Sequence, residues 1–347
     1  MHKDLQKYFK NKKILITGHT GFIGAWLCVI LKLYNSKVYG VSLDVKNASL
    51  FEKANIKQRI EKHYLFDLKN KIKLKKLISE IRPEIIIHLA AQSLVLEGYK
   101  NPYKTFDNNI NSTINILSLF TESKYSKKIL ITTTDKVYKT QNTRIHKEKD
   151  ELWGFDPYSA SKVCVEQVVD SYRHLYSNKK NKKIFLIARS GNVIGGGDIS
   201  ENRIVPDIIR SFKKKTILNI RNPNSIRPWQ NVIEPIFGYL YLLKNKNLYN
   251  NFNWNFGPDK KNFKKVIDIV KSFKKNFNFK YNVKRSDKKE TNILKIDSSK
   301  SKKLLSWKTK LDLESSLEYI FLYEKALKNK SNIYNFCIQQ IKNYIKT

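Results

Sequence analysis

The stretch that most constrains this chain is 12–27, KKILITGHTGFIGAWL. Ile14, Leu15 and Ile16 form a short apolar run, Thr17 and Gly18 break it, and an apolar pattern at helical spacing follows (Phe22, Ile23, Trp26, Leu27, Ile30, Leu31). The order strand, tight turn, helix carries glycines at 18, 21 and 24. Gly18 suits a sharp exit from the strand, Gly21 an approach of pyrophosphate to bare backbone, and Gly24 close packing of helix on strand. The helix N-terminus then offers unpaired N–H groups and a positive dipole end to the phosphates. A second apolar strand over 38–43 ends at Asp44, 20 residues past Gly24. A carboxylate there accepts hydrogen bonds from the adenosine ribose and repels a 2′-phosphate, which favours NAD over NADP.

Strands and helices alternate after this unit. Strands are expected at 13–17, 37–43, 63–67, 84–90, 128–134 and 184–189, and helices at 22–34, 71–81, 103–123 and 158–177. The strands are continuous apolar runs such as EIIIHLAA and KILITTT, the pattern of a sheet covered on both faces. The fold class is therefore α/β: a Rossmann-type doubly wound parallel sheet, with a smaller C-terminal substrate-binding domain. Its ligand crevice lies at the strands' carboxyl ends. Residues 1–190 form the NAD-binding domain, the chain returns to it near 229–257, and 191–228 with 258–347 form the second domain. Helices are expected there at 205–215, 234–245, 262–275 and 312–328, with a terminal helical run from Ile333 to Ile345.

Composition narrows the class. A chain of 347 residues with 41% hydrophobic content has ample material for such a core. The N-terminus is charged, no apolar run reaches the length of a membrane span, and the three cysteines, Cys28, Cys164 and Cys337, are far apart. These features point to a reducing cytoplasm, with no disulfide framework, no metal site and no membrane partner. The net charge of +37 raises nucleic-acid binding. The excess is mostly Lys, spread over helices and tails such as 71–76, 213–215 and 260–265. It is not an Arg-rich stripe interleaved with aromatics, and is read as compositional.

Candidate chemistry sits at the strand ends. Tyr158 and Lys162, in DPYSASK, are four apart at the start of a helix and share a face. A nearby ammonium is expected to lower the phenol toward neutrality, letting it take a proton from a sugar hydroxyl while the adjacent C–H leaves as hydride. Lys162 can also hold the nicotinamide ribose. Alone, a Tyr/Lys helix face is common; behind the glycine loop it reads as catalytic.

Together, the glycine loop and the Tyr158–Lys162 pair resemble the extended short-chain dehydrogenase/reductase family. GHTGFIGAWL, HLAAQSLV, TTTDKVY, DPYSASK, ARSGNVIGGGD, RNPNSIRPWQNVIEP and WNFGPD narrow the resemblance to nucleotide-sugar 4,6-dehydratases. Thr134-Asp135-Lys136 is most similar to the members that act on CDP-glucose. The resemblance implies oxidation at sugar carbon 4, loss of water across carbons 5 and 6, and hydride return to carbon 6. Tyr158 is then the carbon 4 base, Thr134 a hydrogen-bond partner of that oxygen, Asp135 the acid for the leaving hydroxyl, and Lys136 the carbon 5 base. Burial would favour a protonated Asp135 and a neutral Lys136. Neighbours on a regular strand face opposite ways, so these two share a site only where the strand has opened.

Thr20, Phe22 and Ile23 join the three glycines and Asp44 in the expected cofactor site. Asp67 and Leu68 after the third strand, and Leu89, Ala90 and Ala91 after the fourth, complete it with Tyr158 and Lys162. Gln92, Asn192, Arg203, Arg221 and Arg227 are candidates for the nucleotide sugar, Arg227 as a planar fork on the pyrophosphate. Trp229 is either a platform for the cytosine or a core residue. The resemblance also implies a homodimer joined through the helices at 103–123 and 158–177. Two places depart from the family's pattern: 139–154 is short and polar, and Ser112 stands at a usual glycine. Competing readings are a 4,6-dehydratase or epimerase for a dTDP-, GDP- or UDP-linked sugar, and a non-catalytic NAD- or nucleic-acid-binding protein. The last has no need of both an acid and a helix-borne phenol.

If the charge is compositional, contacts to nucleic acid go to phosphate only. Fluorescence polarisation with labelled DNA and RNA should then show weak binding without sequence preference, lost by about 10³-fold or more between roughly 50 and 200 mM salt. Sequence-selective binding that survives physiological salt would contradict this.

Overall fold

The computed structural model describes residues 2–139, 144–176, 183–245, 253–284 and 291–347. The strands are β1 (Lys13–Thr17), β2 (Lys37–Ser42), β3 (Lys62–Leu65), β4 (Ile85–His88), β5 (Lys128–Thr134), β6 (Ile184–Ser190), β7 (Asn192–Ile194), β8 (Leu218–Ile220), β9 (Ile226–Asn231), β10 (Asn253–Phe256), β11 (Phe263–Lys265) and β12 (Tyr281–Val283). The first helices are α1 (His2–Phe9), α2 (Phe22–Leu33), α3 (Leu50–Lys53), α4 (Lys71–Ile81), α5 (Val95–Lys100), α6 (Pro102–Phe106), α7 (Ser112–Glu122) and α8 (Pro157–Tyr176). Then come α9 (Ile204–Lys214), α10 (Ile233–Lys244), α11 (Val266–Lys274), α12 (Ser299–Leu305), α13 (Leu313–Lys328) and α14 (Ile333–Lys346).

A seven-stranded parallel sheet in the order β10-β6-β5-β4-β1-β2-β3 forms the centre. The order reverses between β1 and β4, the switch point at which such sheets bind ligands. Two apolar cores cover its faces. One gathers Ile14, Ile16, α2 and α10; the other gathers Leu15, Ile86, Ile129, α4, α7 and α8. A third core, around Ile208, Ile220, Trp229, Phe273 and Leu317, holds the second unit together. That unit carries a three-stranded sheet, β11-β9-β7, and the pair β12-β8.

The expected strands and helices are present with some differences; the helix expected at 262–275 begins only at Val266, because Phe263–Lys265 pairs as a strand with β9. The helix expected at 103–123 starts at Pro102 and passes through a π-helical turn over Asp107–Asn111 before α7. Residue 177, at the end of the helix expected over 158–177, and residues 246–252 of the returning segment lie outside the described residues. The segment 258–347 serves both units, because Leu305, Trp307, Leu311, Ile341 and Tyr344 belong to the first core. The charged N-terminus hides a helix, α1, whose Leu5 and Phe9 are buried.

Glu234, wholly buried in the first turn of α10, fastens the C-terminal part of the chain. Its Oε1 accepts from the backbone N–H groups of Lys310 and Leu311 at 2.7 Å, and its Oε2 from the Tyr344 hydroxyl at 2.7 Å. Burial raises this carboxyl from 4.5 to about 7, against the hydrogen bonds from Leu311, Lys310 and Tyr344 that lower it. With the folded value above the ordinary one, this site's contribution to stability is full below pH 4.5 and lost as pH rises through about 7. Thermal unfolding should therefore show the wild type losing more stability between about pH 5 and pH 8 than Glu234→Gln, which cannot titrate. Glu234→Ala, which orphans two N–H groups, should cost about 2–4 kcal/mol at either pH.

Candidate active site

A single cleft of about 760 Å³ runs along the carboxyl ends of the sheet and under the second unit. Its floor begins at the glycine loop. Gly18 takes φ +74°, and a Cβ there would meet the Ala90 backbone nitrogen at 2.8 Å. A Cβ on Gly24 would come within 2.2 Å of the Gly18 carbonyl, so α2 seats against β1 only without a side chain there. Gly21 caps α2 with an exposed backbone, which leaves the first N–H groups of the helix open to the cleft. The loop is pinned from the side: Thr20 Oγ1 donates to the Asp44 carbonyl at 2.7 Å, and the Thr20 N–H to Ser42 Oγ at 3.3 Å. Asp44 stands exposed at the end of β2 with its carboxylate free of any described hydrogen bond. Asp67, Leu68, Leu89, Ala90, Ala91, Phe22 and Ile23 line the same end. An exposed helix N-terminus and a carboxylate one strand away fit the pyrophosphate and ribose of a dinucleotide.

The chemical groups converge at the other end. β5 stops at Thr134 and a 3₁₀ turn over Asp135–Val137 begins, so Asp135 and Lys136 are freed from strand alternation and both line the cleft. The Thr134 hydroxyl donates to Asp135 Oδ1 at 3.1 Å and accepts from the Lys136 N–H at 3.3 Å. Asp135 is 3% exposed, and its Oδ2 has no hydrogen-bond partner among the described residues. Burial raises its carboxyl above the usual range, with the Lys136 and Arg227 charges pulling down. That environment favours the protonated acid.

Tyr158 and Lys162 are both buried, on one face of α8. Here the expected electrostatics need correction. Burial pushes the Tyr158 phenol up to about 12; the Arg203 charge and a hydrogen bond to Thr134 pull it down. Lys162 is not the group that lowers it: burial brings the amine itself down to about 8, and its Nζ donates to the Thr132 carbonyl at 3.1 Å. Desolvation acts against the charged form of both groups.

The residues expected to hold substrate, Gln92, Asn192, Arg203, Arg221, Arg227 and Trp229, all border the cleft. Arg203 donates to Ser93 Oγ at 3.2 Å across the opening and pairs with Asp198 at 3.6 Å. Arg221 is fixed by two bonds to Asn202. Arg227 is buried and anchored on the carbonyls of Ile226 and Asn292, close enough to act on Asp135. Trp229 takes the core role: it is 3% exposed, packs in the third core, and its Nε1–H meets the Lys264 carbonyl at 3.0 Å. Gln92 turns its amide onto Leu94 and Thr105, which shapes its loop.

Sequence reasoning missed two groups. The buried Asn109, in the π-helical turn, bonds both backbone groups of Gln92 at 2.7 and 3.0 Å and Ser161 Oγ at 2.8 Å. It thereby ties the loop after β4 to α8, and a π turn at such a point is a common functional device. The second group is a buried pair, Glu166 and Arg189. Glu166 lay within reach of pattern reading, four residues past Lys162. Among the described residues no group of three or more His, Cys, Asp or Glu side chains is placed to hold a metal, and no helix is long and apolar enough to cross a membrane.

Residues 15–320 match the family described as GDP-mannose 4,6 dehydratase. A CDP-glucose 4,6-dehydratase of Salmonella typhimurium is 34% identical over 335 residues, covering 92% of this chain and 92% of its own. A UDP-glucose 4-epimerase of Mycoplasma genitalium is 26% identical over 88% of this chain and 94% of its own. Among solved structures, a UDP-glucuronic acid 4-epimerase from Bacillus cereus in complex with UDP-glucuronic acid and NAD has a TM-score of 0.79 at 23% identity, over 91% of this chain and 99% of that one. At that identity the likeness shows the fold. The glycine loop, the Tyr158–Lys162 helix and the matches over nearly the whole length lead to one statement: this chain belongs to the GDP-mannose 4,6-dehydratase family, within the extended short-chain dehydrogenases/reductases, and is an enzyme of the nucleotide-sugar dehydratase and epimerase group.

Proposed function

We propose that the protein dehydrates CDP-glucose to CDP-4-keto-6-deoxyglucose with NAD as resident cofactor. The observation that carries this is Asp135, a buried carboxylic acid with one unpartnered oxygen beside Thr134 and Lys136 in the cleft that also holds Tyr158. Hydride transfer alone needs one acid–base group; elimination of water needs a second set. The Salmonella relative supports CDP-glucose over other nucleotide sugars. Asp44 supports NAD over NADP. A homodimer through the helical segments 103–123 and 158–177 accompanies the reading, supported by Tyr103 in α6 and Phe155 just before α8, which are exposed. A cytoplasmic setting suits the phosphorylated substrate.

Bound NAD supplies a hydride acceptor at sugar carbon 4 and a donor at carbon 6. Tyr158 removes the carbon 4 hydroxyl proton, drawn off by the Arg203 charge and the Thr134 hydroxyl. The resulting ketone acidifies the carbon 5 hydrogen, and Lys136 takes that proton. Asp135 Oδ2 protonates the departing carbon 6 hydroxyl. Arg227, Arg221 and Arg203 face the diphosphate as donors. The burial of Asp135 favours its neutral state.

Incubation with CDP-, dTDP-, GDP- and UDP-glucose and catalytic NAD, read by mass spectrometry, should show loss of one water from the CDP sugar without accumulation of free NADH. Loss of water from another nucleotide sugar alone would move the specificity, and no loss from any would contradict the dehydratase reading.

The two acid–base sets separate in single-turnover experiments. Tyr158→Phe should abolish every step. Asp135→Asn keeps the size but cannot donate a carboxylic proton, so it should oxidise carbon 4 and then stall, about 100- to 10,000-fold slower in elimination. The near-ultraviolet absorbance of the reduced nicotinamide should persist, and the sugar should keep its carbon 6 hydroxyl. Dehydrated product from Asp135→Asn at close to the wild-type rate would remove Asp135 from the acid role.

A further inference from the structure

The glycine loop turns one residue inward. Gly18, Thr20 and Gly21 line the cleft, whereas His19 between them has no exposed surface. Its imidazole lies against the middle of β2. A Cβ on Gly40 would come within 2.2 Å of the ring atoms Cγ and Cδ2, so the ring fills the space where a side chain of β2 would stand. Its Nδ1 shares a hydrogen bond with the Ser42 hydroxyl at 2.9 Å, and the same oxygen accepts the Thr20 N–H at 3.3 Å. The preceding Gly18 N–H donates to the Val41 carbonyl at 2.8 Å. Phe51 of α3 and His63 of β3 meet the ring edge-on, with centroids at 5.1 and 5.6 Å. Burial brings the imidazole down to about 4, with a hydrogen bond to the Val41 backbone opposing and His63 adding to the fall. At neutral pH the ring is uncharged, so it acts on the loop by shape and hydrogen bonding and not by attracting phosphate.

We infer that His19, seated in the slot that Gly40 leaves in β2, is a positioning residue for the cofactor: it fixes the spacing between the loop that receives the pyrophosphate and the end of β2 that presents Asp44 to the ribose. The loop is tied to β2 at successive points, Gly18 on Val41, His19 on Ser42, and Thr20 on Ser42 and Asp44. Thr20, Ser42 and Asp44 line the cleft and can touch the dinucleotide themselves. His19 and Gly40 stand outside its lining, so any effect they have on binding passes through the groups they place. A dinucleotide spans both ends of this unit. A shift of the loop against β2 therefore weakens its pyrophosphate and ribose contacts together, and a loop already held at the right spacing spares that ordering on binding. The inference rests on NAD as the cofactor and on nothing in the sugar chemistry.

The test is the NAD affinity of the full-length protein, by equilibrium dialysis with radiolabelled NAD after any bound nucleotide has been exchanged for the label. His19→Ala should weaken binding by about tenfold or more, the scale of a lost hydrogen bond. In turnover the KM for NAD should rise with it, while kcat at saturating NAD stays within about twofold, because no reacting group is touched. Gly40→Ala should weaken NAD to a similar extent by displacing the ring. In His19→Ala/Gly40→Ala the added methyl enters the vacated space, so the loss should be no larger than for His19→Ala alone. This double variant also secures the result if Gly40→Ala does not fold. His19→Ala should cost less in an Asp44→Asn background, where the ribose carboxylate is already gone. Unchanged NAD affinity in the folded variants, a fall in kcat at saturating NAD in place of a loss of affinity, or losses that simply add in the double variants would overturn the inference. The dialysis needs no sugar, so failure to dehydrate any nucleotide sugar would count against the proposed reaction and not against this.

Discussion

Glu166 and Arg189 lie inside the protein, and either would be costly to bury alone. Paired, they join β5, β6 and α8 at the carboxyl edge of the sheet. The network continues outward: the Tyr138 hydroxyl donates to Asn255 Oδ1 at 2.6 Å, the Tyr138 ring stacks on His146 at 4.8 Å, and the Asn255 amide reaches the His146 carbonyl at 3.2 Å. The short polar stretch before the catalytic helix is thus fastened to β10 and to the second unit through His146 and Ile296. A buried polar network of this kind fixes the elements it joins.

Burial then sets the chemistry. It raises the carboxyl of Asp135 and lowers the amine of Lys162, so one environment favours a protonated acid and a weakened cation. It also opposes the reaction's first step, since a buried phenol holds its proton. The cleft answers with cations from the second unit. The Arg203 charge acts on Tyr158 and the Arg227 charge on Asp135, so the second unit tunes groups at the end of the sheet.

The fold was legible because its signals are local. The glycines at 18, 21 and 24, the apolar runs of β1, β4 and β5, and the Tyr158–Lys162 spacing each report geometry within about one element. The opening of the strand at Asp135 was a condition that sequence could state and not resolve, since it depends on where β5 loses its partners. The pKa of Tyr158 was misjudged because pair spacing shows a neighbouring charge and not the depth of burial. Trp229 was ambiguous for the same reason, and only the third core decides it. Asn109 and Arg189 act across 17 to 52 positions of sequence, beyond any periodic pattern.

The central claim is that one closed cleft conducts the whole cycle, with the hydride leaving sugar carbon 4 and returning to carbon 6 of the same molecule. CDP-glucose deuterated at carbon 4, turned over with unlabelled NAD, tests it most directly. Mass spectrometry and NMR of the product should find the deuterium at carbon 6 and none in the free cofactor. Deuterium washed into solvent or recovered in released NADH, or found again at carbon 4 of an epimerised sugar, would contradict the account.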